Sequence, residues 1–138
     1  MTRRITVIGT GYLGATHAAA MAELGHDVLG VDVDHKKIEQ LSDGVVPFYE
    51  PELPELVRKG LDSGRLRFGT DPAEAAAFGD VHFVCVGTPQ RHGSYAADLT
   101  ALETATDSLA AHLGRPALVV GKSTVPVGTA QRLSLIHI

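Results

Sequence analysis

The sequence predicts an α/β domain built on a doubly wound parallel sheet, and three observations carry that prediction. Short apolar runs recur at Ile5–Ile8, Val28–Val31, Leu66–Phe68, Val81–Val86 and Ala117–Val120. Helix-forming segments with their own starts and stops lie between them, and strands alternating with helices give a parallel sheet covered on both faces. The first run opens into Gly9-Thr10-Gly11-Tyr12-Leu13-Gly14, a G-x-G-x-x-G loop with an alanine-rich helix behind it.

Each residue type in that loop has a physical task. Gly9 allows a tight turn off the first strand. Gly11 lets the backbone approach a pyrophosphate, because a side chain there would occupy the phosphate's place. Gly14 lets the helix pack close to the sheet. The start of the helix offers unpaired N–H groups and a partial positive charge to an anion. Ala18, Ala19, Ala20, Met21, Ala22 and Leu24 continue the helix, and Gly25 ends it in the left-handed conformation. The second run, Val28-Leu29-Gly30-Val31, closes on Asp32, 21 residues beyond Gly11. A carboxylate there accepts hydrogen bonds from the adenosine ribose and repels a 2′-phosphate, so the predicted cofactor is NAD rather than NADP. The plain alternative is an ordinary glycine loop, but strand, helix, second strand and acid are all in place around it.

Asp34 is placed to cap a helix through Leu41, with Gly44 as its stop. Lys37 falls in its first turns, near the ribose end of a dinucleotide; a solvated surface lysine is the equal alternative. Pro47 and Pro51 hold the next stretch extended. Leu53, Leu56, Val57 and Leu61 recur at helical spacing, with Pro54 in the first turn and Gly64 after the last. Asp71-Pro72-Ala73-Glu74 has the form of a helix start with a capping box. The fourth strand runs out into Gly87-Thr88-Pro89, where a ligand at the carboxyl edge of the sheet would meet backbone N–H groups and a hydroxyl, although a mere turn is the alternative. A helix from Leu99 to about Leu113, stopped by Gly114, leads to a buried fifth strand at Ala117–Val120. Gly121-Lys122-Ser123-Thr124 follows and presents Thr124 to the same crevice.

Composition excludes several function classes. The 138 residues suit one domain, able to bury about two-thirds of its unfolded surface. A net charge of −4 gives no electrostatic reason to expect nucleic acid or a membrane as partner. No apolar run approaches signal-peptide or transmembrane length, so the expected location is the cytoplasm. The single cysteine, Cys85, excludes an internal disulfide and reads as a buried core thiol. The seven histidines show no metal-ligand spacing, and no metal site is expected. Neither a G-x-S-x-G elbow nor a G-x-x-x-x-G-K-[ST] loop occurs.

The ordered motifs VIGTGYLG, VDVD with Lys37 close behind, PFYEPEL, SGRLRF, VCVGTP and GKSTVPVGT resemble the UDP-glucose/GDP-mannose dehydrogenase family, and within it the members that oxidise UDP-glucose. The likeness runs nearly to Arg132. It implies a Rossmann-type domain in which Gly9, Gly11, Tyr12, Leu13 and Gly14 line the pyrophosphate. It further implies Asp32 and Lys37 at the adenosine ribose, with Gly87, Thr88, Pro89 and Thr124 nearer the nicotinamide. Thr124 would have an accessory catalytic role, helping to position a water. The family oxidises the sugar C6 alcohol of a UDP-sugar or related nucleotide sugar to a carboxylate with two NAD, capturing the aldehyde on a cysteine thiolate. Its full-length members are expected to be homodimers joined through a central helix.

Glu52, where the family often has glycine, together with Pro54 and Gly69, departs from the pattern. The chain also ends before the central helix and the substrate domain, which hold the catalytic cysteine and lysine; Cys85 does not match that motif. Residues 1–132 are therefore expected to be an incomplete NAD-binding domain, inactive alone. Residues 133–138, Leu-Ser-Leu-Ile-His-Ile, read as a non-native tail derived from a sequencing adapter. The alternatives are a stand-alone NAD-binding or sensing module, or a dehydrogenase of GDP-mannose or UDP-N-acetylmannosamine. A hydroxyacid-type dehydrogenase has no reason to carry GKSTVPVG after its fifth strand.

Overall fold

Apolar runs of four or five residues cannot satisfy their own backbone amides, and here five of them pair into one parallel sheet. The computed structural model describes residues 1–136. Strands β1 (Arg4–Ile8), β2 (Asp27–Val31), β3 (Leu66–Gly69), β4 (Val81–Val84) and β5 (Leu118–Gly121) lie in the order β3-β2-β1-β4-β5. The register places Ile8 level with Val31 on one side and Val84 on the other, and Val84 level with Gly121. The segments that leave β1, β2, β4 and β5 therefore emerge at one edge of the sheet.

The helices are α1 (Tyr12–Glu23), α2 (His35–Ser42), α3 (Leu53–Asp62), α4 (Pro72–Phe78), α5 (Thr100–His112) and α6 (Thr129–Ile136). One core joins Ile5, Val7 and Val28 of the sheet to Ala18, Ala19 and Ala22 of α1, Leu53 and Val57 of α3, and Cys85. On the opposite face Leu29, Val31 and Ala75 pack with Ile8 and Phe78. The small alanine face of α1 is what lets it lie directly on the strands. Gly25 closes α1 at φ 95°, and Asp34 caps α2 by accepting the Lys37 N–H at 3.1 Å. Pro54 falls in the first turn of α3, as its spacing requires.

Two details depart from the sequence reading. Glu74 does not complete a capping box, because its carboxylate pairs with Arg67 across the turn from β3; Asp71 caps α4 without it, accepting the Ala73 N–H at 2.9 Å. Helix α5 ends where expected, just before Gly114, with the chain turning extended at Leu113, φ −69° and ψ 113°. The fifth strand is not buried. It sits at the sheet edge, where Leu118 is 60% and Val119 42% exposed. Of the expected tail, Leu133–Ile136 fall within α6, and His137 and Ile138 lie outside the described residues.

Candidate functional site

The shared strand edge opens into a cavity of about 740 Å³, lined by the glycine loop, the ends of β1 and β2, the segments after β4 and β5, and one side of α5. That size is ordinary for a small-molecule or cofactor site. Gly9 turns the chain at φ 94°, and a Cβ there would sit 2.8 Å from the Val86 nitrogen. A Cβ on Gly14 would come within 1.6 Å of the Gly9 carbonyl oxygen. Gly11 differs: its Cβ would meet nothing within 4 Å. The glycine there is not forced by packing inside the chain, and it leaves open space at the mouth of α1. The first amide of α1 bonded inside the helix is that of Ala15, to the Gly11 carbonyl at 2.9 Å. The preceding amides are free to meet an anion, and no acidic residue lies in the helix's first turn.

Asp32 stands just beyond β2, its side chain 11% exposed. Its Oδ2 accepts from the Thr10 N–H at 2.8 Å, the Thr10 hydroxyl at 3.1 Å and Lys37 Nζ at 3.1 Å. Its Oδ1 accepts from the Asp34 N–H alone, at 3.0 Å, which leaves acceptor capacity there. Burial pushes the Asp32 carboxyl up; the bonds donated by Thr10, Asp34 and Lys37, with the Lys37 charge, outweigh it and hold the group below the usual carboxylate range. The carboxylate is thus ionised and fixed in direction.

Thr88 and Thr124 meet across the far end of the cavity, where the Thr88 hydroxyl donates to the Thr124 carbonyl at 2.7 Å. Ser123 ties the two strand exits together by donating to the Val86 carbonyl at 2.7 Å. Cys85 is 6% exposed, and burial pushes its thiol up to about 11 against the opposing charge of Lys122. It is no nucleophile at neutral pH. Among the described residues no cluster of histidine, cysteine, aspartate and glutamate could hold a metal, and no helix is long and apolar enough to cross a membrane.

Residues 3–137 match the model of the UDP-glucose/GDP-mannose dehydrogenase family, NAD binding domain. The chain belongs to this family. A UDP-glucose 6-dehydrogenase of Rhizobium meliloti is 45% identical over 96% of the chain and 30% of its own length. UDP-glucose 6-dehydrogenase YwqF of Bacillus subtilis is 44% identical over 91% of the chain and 28% of its own length. Among solved structures, a GDP-mannose dehydrogenase from Pseudomonas aeruginosa superimposes at a TM-score of 0.92, with 36% identity over 97% of this chain and 31% of that one. A UDP-glucose dehydrogenase from Pyrobaculum islandicum does so at 0.89, with 40% identity over 98% of this chain and 33% of that one. The chain spans about 30% of the length of the curated relatives it matches.

In this NAD-binding domain the open cradle at Gly11 and the ionised acid at Asp32 fit the pyrophosphate and ribose of the dinucleotide. Gly9, Gly11, Tyr12, Leu13, Asp32, Lys37, Gly87, Thr88 and Thr124 all line the one cavity. Gly14 and Pro89 do not: Gly14 is packed beneath the loop, and the Pro89 carbonyl accepts the Asp98 N–H at 2.7 Å. Thr10 escaped the sequence reading, although its place between two of the loop glycines marks it. It is fully buried and aims Asp32. The α5 wall of Ala101, Thr104, Ala105 and Ser108 also escaped it, because the helical pattern of that segment says nothing of which face meets a cavity.

Proposed function

We propose that the chain is the NAD-binding part of a cytoplasmic dehydrogenase that oxidises the C6 alcohol of UDP-glucose to the carboxylate of UDP-glucuronate. The alcohol loses four electrons as two hydrides to two NAD, and water supplies the second carboxylate oxygen. The cofactor serves only to accept those hydrides; this chain's residues hold it. The amides of residues 11–13 take the pyrophosphate, Asp32 Oδ1 takes a ribose hydroxyl, and Lys37 braces the carboxylate. The Thr88–Thr124 pair closes the other end, and the Thr124 hydroxyl has the accessory task of holding a water. The observation that carries the cofactor side is the open Gly11 cradle in one cavity with an ionised Asp32.

The choice of sugar rests on the relatives. UDP-glucose 6-dehydrogenases match over 91–97% of the chain, whereas the curated GDP-mannose 6-dehydrogenases match over 64%. A GDP-mannose specificity is the second reading, favoured by the solved Pseudomonas aeruginosa structure that covers 97% of the chain. In this proposal residues 1–132 are the native part of the domain and 133–138 an appended tail.

Calorimetric titration of the purified chain tests the cofactor side. NAD should bind, NADP at least tenfold more weakly, and UDP-glucose should not be oxidised. Failure to bind NAD, or turnover by the chain alone, refutes the reading. Resequencing the source DNA across the Arg132 codon tests the tail and gives access to any longer product. Assaying such a product with UDP-glucose and GDP-mannose then decides between the two sugars.

A further inference from the structure

The stretch Pro47-Phe48-Tyr49-Glu50-Pro51-Glu52-Leu53 is one of the ordered motifs of the sequence, yet none of its residues lines the cofactor cavity. It forms a strap between α2 and α3. Left-handed residues bound the strap, Gly44 at φ 78° and Glu52 at φ 70°, and Pro47 and Pro51 stiffen it in between. The Val45 N–H donates to the Gln40 carbonyl at 2.8 Å at one end, and the Leu53 N–H to the Glu50 carbonyl at 3.3 Å at the other. Val46 and Phe48 pack on the core that joins the sheet to α1 and α3, and Leu53 is buried in it. The strap reaches the cavity wall through one residue, Tyr12. The Phe48 ring lies against the Tyr12 ring, with centroids 5.9 Å apart and planes tilted by 55°, inside the spacing at which aromatic pairs attract. The Glu50 carboxylate adds a second hold by accepting the phenol's hydrogen bond. That bond first, and the Glu50 charge second, keep Tyr12 above the ordinary phenol range, so the hydroxyl stays protonated.

We infer that Phe48 is a positioning residue of the dinucleotide site, acting through Tyr12: it holds the Tyr12 ring in the cavity wall and out of the open space beside Gly11. The inference rests on the NAD reading of that cavity. Tyr12 is the first residue of α1 and follows Gly11 directly, so its amide is among those that meet the pyrophosphate. An unrestrained tyrosine side chain samples more than one staggered χ1 well. Nothing in the chain occupies the space around a Gly11 Cβ, so an unheld ring beside it is free to swing across the cradle it borders. Within α1 the Thr16 hydroxyl fixes only the Tyr12 carbonyl, at 2.7 Å, and leaves the ring to the strap. Phe48 removes the ring's freedom and is itself anchored on the core. The cofactor then meets a wall already in place and is spared the cost of ordering it.

Calorimetric titration of NAD into the purified chain and its variants tests this through a double-mutant cycle. Phe48→Leu keeps an apolar side chain on the core and removes the ring. It should fold and bind NAD about three- to tenfold more weakly, the range an aromatic pair is worth. In a Tyr12→Ala chain the same change should leave NAD affinity where Tyr12→Ala alone puts it, because the ring that Phe48 positions is gone. Phe48→Tyr retains an aromatic ring and should retain the wild-type affinity. Should Phe48→Leu fold poorly, Phe48→Ile makes the same comparison. A folded Phe48→Leu chain with wild-type NAD affinity, or one whose loss is the same with and without the Tyr12 ring, would overturn the inference and leave Phe48 a core residue. A wild-type chain that binds no NAD would overturn it as well. That result is distinct, because it removes the NAD reading itself before any Phe48 variant is compared.

Discussion

Replacing Asp32 with alanine separates the two tasks of this carboxylate, holding the cleft together and holding the ribose. In the folded chain it accepts from the Thr10 N–H and hydroxyl, the Asp34 N–H and Lys37 Nζ. The Lys37 side chain is 27% exposed and can turn to water, and the Asp34 amide lies at the surface. Thr10 is fully buried. Each of its two stranded donors costs about 1–3 kcal/mol if left dry. Water entering the vacated space from the cavity offsets part of this, so the expected loss of stability is about 2 kcal/mol. The lost charge-assisted bond to a ribose hydroxyl costs about 1.5–3 kcal/mol, or roughly a ten- to hundredfold weaker NAD. NADP moves the other way, because the 2′-phosphate is no longer repelled and the Lys37 ammonium is released to meet it. Urea denaturation reads the first effect, and calorimetric titration with both cofactors reads the second. A variant with lowered stability and unchanged NAD affinity would leave Asp32 a purely structural role and refute the ribose assignment. The pH dependence has a defined sign. Burial raises the Asp32 carboxyl and the donated bonds lower it further, so its stabilising contribution is complete above the unfolded value near about 4 and is lost as pH falls through the folded one. The stability gap between wild type and variant should close in that acid range.

Two loop glycines should respond in opposite ways. Gly11→Ala, with open space around its Cβ and an ordinary φ of −70°, should fold normally and bind NAD at least about tenfold more weakly, about 1.4 kcal/mol; Gly14→Ala, driven against the Gly9 carbonyl, should lose about 3 kcal/mol or more in urea titrations. Glu52 is exposed in a left-handed turn at φ 70°. Glu52→Gly should raise stability by about 0.5–1 kcal/mol, the relieved strain exceeding the entropy added to the unfolded chain, and a drop would reveal a contact of the Glu52 side chain worth more than the strain. His82 is fully buried beside the Thr6 hydroxyl with its Nε2 unpartnered. Burial first, and then the Arg115 charge against the opposing Asp80, hold it below the usual histidine range. The unfolded chain then takes up the proton first, so stability should fall as pH drops below about 6.5 towards the folded value. His82→Asn should flatten that slope in denaturation curves, leaving the part of the same sign that belongs to half-buried His17.

How much of this was legible beforehand depends on how far apart the interacting residues lie. The start of α2 is read from Asp34 and its stop from Gly44 within a dozen residues, because capping is a contact across one turn. The capping box at Glu74 failed for the same reason in reverse. Its carboxylate is within local reach of Asp71, but Arg67, brought alongside by β3, attracts it more strongly. Thr10 and Asp32 are 22 residues apart and meet only because β1 and β2 are neighbours with Ile8 level with Val31.

The sequence alone determined the strand–glycine loop–helix–strand–acid unit, the five strands, the NAD-binding family and the burial of Cys85. Each is a matter of local conformation or of which residue types leave water. The tertiary structure decided which segments share the cavity. The order β3-β2-β1-β4-β5 carries Thr88 and Thr124 to the same edge as Gly11 and Asp32 and turns one face of α5 into a wall. It also decided that β5, an apolar run like the other four, lies uncovered at the edge. An apolar run specifies that a strand forms; only its neighbours in the sheet determine whether that strand is covered.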